Sequence, residues 1–289
     1  MSEIRIVIQW LAALYALSFC IYPLGRWVFS QTLDRGHAAG RLLGIVVPPY
    51  VIWLLAHLRW VRFTRAGAAF VVLAISLLSW GLVLLGRRKG FRWQRVPLRA
   101  LIAEEMAFLA VFGVFALIRA YNPDIFWSES SMDMSFLTSL MRTHYMPPPD
   151  VWLAGATVNY YHYGHMFIAL LAKLSGTPPQ FAYNLGMATA PGIAGFAVFS
   201  AVYHWTRSKG AGALGVLFAQ FMGNLDACLF IVARWVSAVA EHPERLNEKI
   251  FGRFELWLAD KVSAETLGPL AEFGFFRIKP NNWHFRFFR

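Results

Sequence analysis

Two acidic residues one helical turn apart, Glu129 and Asp133 in FWSESSMDMSFL, and two histidines three positions apart, His162 and His165 in NYYHYGH, have the types and spacing to do chemistry. Carboxylates at i and i+4 project from one face of a helix, where one of them can take the proton of an attacking hydroxyl. Imidazoles and a guanidinium, such as Arg142 at the end of the same predicted helix, can meet the negative charge that develops on a leaving group. Simpler roles remain open for each. Acids in a first turn complement the helix dipole, and Tyr160, Tyr161 and the histidine rings suit the level of lipid headgroups. An interfacial belt accounts for the tyrosines better than for two histidines on one helix face. Asn224 and Asp226, in MGNLD, add an amide and an acid inside an apolar run, where a carboxylate must face other helices, water or a partner.

The elements that must position these residues are membrane helices. With 57% hydrophobic and only 15% charged residues, the chain is too apolar for an ordinary soluble domain. Six apolar stretches, at roughly 4–24, 41–58, 66–86, 101–118, 181–205 and 211–233, approach or exceed the length a helix needs to cross the hydrocarbon. The expected fold is therefore all-α, a polytopic membrane helix bundle of about six spanning helices in the cell membrane. Residues 163–174 are apolar but too few to cross, and Gly176 with Pro178-Pro179 stops them. Residues 160–174 then read as an amphipathic, interfacial helix in a long extracytoplasmic loop.

The net charge of +11 does not point to nucleic acid, because Arg87, Arg88, Lys89, Arg92, Arg95 and Arg99 crowd one short loop between two spans. Such a loop belongs in the cytoplasm beside anionic headgroups. Residues 119–180, carrying Asp124, Glu129, Asp133 and Asp150, then lie outside. The chain divides into a region of four spans (1–118), the outer loop (119–180), two further spans (181–233) and an amphipathic tail (234–289). Glu104 and Glu105 fall in the first turn of the fourth span, where carboxylates favour the helix end and can pair with Arg99. The run Pro147-Pro148-Pro149 fixes an extended path, and Asp150 suits a cap for the element after it.

The segments RAYNPDIFWSESSMDMSFLTSLMRT, PPPDVWLAGATVNYYHYGH and MGNLDACL, with LDRGHAAGRLLGIVVPPYVIWLLA before them, resemble the YYY-motif membrane proteins, a family named for its consecutive tyrosines. The resemblance covers about residues 1–235. That family is in turn similar to the GT-C membrane glycosyltransferases, which take a sugar from a polyprenyl-phosphate carrier on the extracytoplasmic face. The resemblance implies that Glu129 and Asp133 match the acidic motif opening the first outer loop, that 160–174 matches the juxtamembrane helix, and that the fourth span is the first GT-C helix. Two departures stand out. Ser130-Ser131 replaces a Lys-Pro pair, which removes a positive charge beside the acids, and His162 interrupts the tyrosine run. The resemblance also implies further spans beyond the closing KPNNWHFRFFR, so the sequence reads as an N-terminal portion.

Two functions follow as expectations. The first is transfer of a sugar from a polyprenyl-phosphate donor, with Asp133 as base and Glu129 as second choice. Arg142, His162 and His165 would face the phosphate, with Tyr160, Tyr161, Asn224 and Asp226 lining the substrate. A divalent metal could assist, although His-x-x-His with distant carboxylates is a weak ligand signal. The second is a non-catalytic multi-pass membrane protein, a carrier of lipid-linked intermediates or an assembly partner. Replacing Asp133 with Asn separates them.

Overall fold

The computed structural model describes residues 3–88, 95–126, 129–159 and 161–222. Among these, the helices are α1 (Glu3–Cys20), α2 (Tyr22–Val28), α3 (His37–His57), α4 (Arg65–Arg88), α5 (Leu98–Tyr121), α6 (Ser130–Arg142), α7 (His162–Ser175), α8 (Pro179–Thr206) and α9 (Lys209–Phe221). An isolated antiparallel bridge between Pro149 and Thr157 is the extended pairing seen among the described residues. Residues through Val216 form one compact unit, and Leu217 to Met222, the end of α9 and the residue after it, belong to a second.

Local sequence explains the breaks. The first apolar stretch stops at Cys20 rather than running on, because Pro23 enters at the start of α2, where its missing N–H is tolerated. Pro97 and Pro178 likewise precede α5 and α8. Gly176, at φ 75°, ends α7 in the left-handed conformation that glycine adopts without steric cost. Asp34 prepares the start of α3 from outside it, accepting the backbone N–H groups of Gly36 and Ala38 at 3.1 and 2.6 Å.

Among the described residues five helices, within Glu3–Cys20, His37–His57, Arg65–Gly86, Leu98–Tyr121 and Pro179–Thr206, are long and apolar enough to cross a membrane. The chain is thus a multi-pass membrane protein of helical fold. Phe70, Leu73, Leu77 and Leu78 on α4, and Ile102, Met106, Leu109 and Leu117 on α5, are exposed, as expected of surfaces facing lipid. The sixth expected span, 211–233, is described only through Met222, and the tail 234–289 lies outside the described residues.

Close backbone approach ties the bundle together, since helices in lipid associate by van der Waals packing rather than by water exclusion. A Cβ on Gly44 of α3 would stand 2.1 Å from the carbonyl oxygen of Ser18 in α1. One on Gly195 of α8 would stand 2.8 Å from Val111 in α5. α5 and α8 run antiparallel, with Glu104 bonded to Ser200 at one end and Arg119 to Asn184 at the other. Between them and α1 lies the core, where the fully buried Trp10 donates its indole N–H to Thr189 at 2.9 Å.

The alternation of helices gives the bundle two ends. One carries α6, α7 and the loops around them, where Arg59 and Arg62 of the α3–α4 loop and Arg65 at the start of α4 accompany the acids. The other carries Arg26, Arg35, Arg99, Arg207 and Lys209, whose amine donates to the carbonyl of Arg99 at 2.9 Å.

Candidate functional site

α6 begins immediately after Glu129, so Asp133 falls in its first turn, as the spacing predicts. The dipole reading is incomplete for Glu129. It occupies the N-cap position, yet its side chain makes no capping hydrogen bond and stays exposed. α6 packs against α7, whose buried face of Met166, Ala169, Leu170 and Leu171 meets protein on several sides. That packing sets the two acids beside the histidine motif.

The two histidines then part in function. Nε2 of His165 lies 3.2 Å from Oδ1 of Asp133, and its Nδ1 lies 3.1 Å from the carbonyl oxygen of Tyr161. Both neighbours are acceptors, so a doubly protonated ring satisfies both. The pair is reachable from outside, with 19% of the His165 and 30% of the Asp133 side chain exposed. The Tyr161 hydroxyl reaches Glu129 Oε2 at 3.5 Å, at the long limit for a hydrogen bond. Tyr161 itself sits at φ 70°, a left-handed conformation that costs a residue with a Cβ energy and often accompanies a functional site.

His162 turns instead to α3. Its Nε2 accepts the indole N–H of Trp53 at 3.0 Å, and its ring lies 6.4 Å from that of His57. An indole only donates, so Nε2 must carry a lone pair and the proton belongs on Nδ1. Burial first, then the charges of His57 and His165, pull the pKa of His162 below the usual imidazole value. Next to it, burial and the nearby Tyr50 raise the phenol of Tyr163.

Other expected residues stand apart. Arg142 is exposed in the last turn of α6, nine positions beyond Asp133 and so about 13 Å along the helix axis. Tyr160, Asn224 and Asp226 lie outside the described residues. Asp150 caps a turn rather than a helix, its Oδ1 accepting the N–H groups of Trp152 and Leu153 at 2.8 and 3.2 Å. Lys173, which the sequence did not single out, crosses from α7 to bind the carbonyls of Phe63 and Thr143, the latter at 2.9 Å. Burial brings its amine down to about 8. The residue fastens the α3–α4 loop to the segment after α6.

At the opposite end, Glu104 and Glu105 depart from their expected partner. α5 starts at Leu98, which moves both acids beyond its first turn and into the bundle. Glu105 pairs with Arg41 and His37 and accepts from Tyr15 at 2.7 Å, in place of Arg99. The Arg41 guanidinium is fully buried, 4.4–4.6 Å from the ring centroids of Tyr15, Phe108 and Phe196. Asp34, Glu104 and His204 gather beside this network. The signal available in the sequence was Asp34, His37 and Arg41 at helical spacing, opposite two consecutive acids.

No curated protein and no solved structure matches the chain. A family model described as an uncharacterized membrane protein (DUF2298) matches residues 47–277, well over half of the sequence.

Proposed function

This chain belongs to the DUF2298 family of membrane proteins, and we propose that it transfers a sugar from a polyprenyl-phosphate donor at the acid–histidine end of its bundle. The observation that carries this reading is the Asp133–His165 pair, an accessible carboxylate held at 3.2 Å by an imidazole beside the exposed Glu129. The resemblance to GT-C enzymes supplies the reaction class, and the match to the family does not bear on it.

In the proposed step an acceptor hydroxyl oxygen attacks the anomeric carbon as the bond from that carbon to the phosphate oxygen breaks. The phosphate leaves with the electron pair. Asp133 takes the hydroxyl proton, which makes the acceptor a better nucleophile as the new bond forms. His165 fixes the carboxylate, its two ring nitrogens engaged by Asp133 and the Tyr161 carbonyl, and as an imidazolium it stabilises nearby negative charge through space. His162 suits that role less, because its Nε2 accepts from Trp53 and burial disfavours its charged form. Tyr161 and Glu129 would bind sugar or acceptor hydroxyls. A largely apolar groove of about 530 Å³ between α1, α4 and the C-terminal end of α7, lined by Ala12, Ala16, Val72 and Leu73 together with Arg65 and Ser175, would hold the polyprenyl tail.

The test is transfer of labelled sugar from polyprenyl-phosphate donors by the purified chain in lipid, comparing wild type with Asp133→Asn. Loss of about 10²–10⁴-fold with unchanged unfolding temperature is expected when a general base is removed. Undiminished transfer by the variant removes Asp133 from the reaction, and no transfer by wild type favours the non-catalytic carrier.

A further inference from the structure

The basic end of the bundle holds a second constellation that sugar transfer does not use. Asp34 precedes α3, Glu104 lies near the start of α5 and His204 near the end of α8, and one ligand atom from each lies within 4.8 Å of the others. Asp34 and Glu104 are buried, at 1% and 0% exposure, while 22% of the His204 side chain is open and offers a way in. Along α5 the cluster is separated from the end of that helix by seventeen residues, about 25 Å, so it is not part of the outer site.

Two details of the cluster suit a cation. First, Glu104 is fully buried, and only one of its carboxyl oxygens is satisfied, by the Ser200 hydroxyl at 3.0 Å. The other oxygen has no hydrogen-bond partner, a costly arrangement for a buried carboxyl group. Second, Nδ1 of His204 lies 2.7 Å from the backbone carbonyl of Ser200, which holds a proton on Nδ1 and turns Nε2 toward the carboxylates. Nε2 then faces Oδ1 of Asp34 at 3.0 Å and lies 3.4 Å from the Asp34 backbone N–H, a contact that a ring proton bridges and that a metal ion would replace. A carbonyl behind one ring nitrogen, with the other nitrogen turned to carboxylates, is how proteins orient a histidine for a metal. The neighbouring acid Glu105 has cations of its own, Arg41 and His37.

We propose that Asp34, Glu104 and His204 form a binding site for one divalent transition-metal ion that clamps α3, α5 and α8 at the basic end of the bundle. Two carboxylate oxygens and one imidazole nitrogen suit Zn²⁺ or Mn²⁺ better than Mg²⁺, which prefers oxygen ligands and keeps its water. Drawing the donors to bonding distance needs only a small closure, since metal–ligand bonds of roughly 2.0–2.2 Å place donors about 3–4 Å apart. The proton shared by His204 and Asp34 is released on binding.

The experiment uses the whole chain in detergent, stripped with chelator and titrated with Zn²⁺, with bound metal measured per chain. One ion per chain is expected, with affinity at least tenfold weaker in Glu104→Gln and in His204→Asn. Glu104→Gln keeps the shape and can still accept from Ser200. Asp133→Asn should bind as wild type does, which separates this site from the outer one. The proposal is overturned if no ion binds, or if both variants bind with wild-type affinity. Should the variants fail to fold, X-ray absorption of the zinc-loaded wild type decides: one imidazole with oxygen ligands supports the site, and a shell without imidazole or with two overturns it.

Discussion

Nε2 of His165 stands 3.2 Å from Oδ1 of Asp133, across 32 positions of sequence, while His162, three residues earlier, is held by Trp53 of another helix. A motif that reads as one histidine face therefore serves two partners. Its second histidine meets a partly exposed acid, and its first locks α7 to α3.

Replacing His165 with Gln should leave stability nearly intact, because a partly exposed pair of this kind contributes only about 0–1 kcal/mol. Sugar transfer should fall more than tenfold, with a changed pH profile. Transfer assays over pH 5–9, beside unfolding curves, check both halves. An unchanged profile would leave His165 a structural role only.

Acid should weaken the fold through His162. Its pKa in the folded protein lies below that of the unfolded chain, so its contribution is fully present above the unfolded value, about 6.5, and is lost as pH falls toward the folded one. Between pH 7.5 and 5.5 the unfolding temperature of wild type should drop further than that of His162→Gln, whose amide oxygen can still accept from Trp53. Parallel curves would show that the histidine does not titrate against the fold.

Lys173 predicts a trend at alkaline pH. Burial lowers its amine from 10.5 to about 8, so the stability linked to its neutral form is fully present above 10.5 and is lost as pH falls through 8. Wild type should gain stability between pH 8 and 10.5 relative to Lys173→Met. At neutral pH the variant should be less stable by about 1–3 kcal/mol, since the carbonyls of Phe63 and Thr143 lose a donor. Chemical unfolding of both proteins across that range measures the difference.

Adding a methyl group at Gly44 should disturb the α1–α3 crossing, because the new Cβ would stand 2.1 Å from the Ser18 carbonyl oxygen. Overpacking of this kind costs about 1–3 kcal/mol. Gly44→Ala should lower the unfolding temperature by several degrees. The same change at Gly81, which has open space around it, should not.

Much of the architecture was legible because membrane helices announce themselves. An apolar run of about twenty residues has few alternatives in lipid, and proline or glycine marks its ends. The extent of α6 and the stop at Gly176 followed from such local signals, and so did the nearness of the acids on one helical turn. The sequence offers Glu104 and Glu105 only their neighbour Arg99, although their partners, Arg41, His37, Tyr15 and Ser200, come from three other helices.

The sequence by itself determined that the chain is built of helices long and apolar enough to cross a membrane, and which residue types could react, since these depend on local chain chemistry and on the length of the hydrocarbon; it placed the start of α5 three residues late, at 101 rather than Leu98. Only the tertiary structure decided which groups meet. It paired His165 with Asp133 and turned His162 to Trp53. It also gathered Asp34, Glu104 and His204 from places 70 and 100 residues apart. The reason is geometric: side-chain pairing depends on how helices cross and which face each turns inward, and one helix's periodicity holds no information about its neighbour's register.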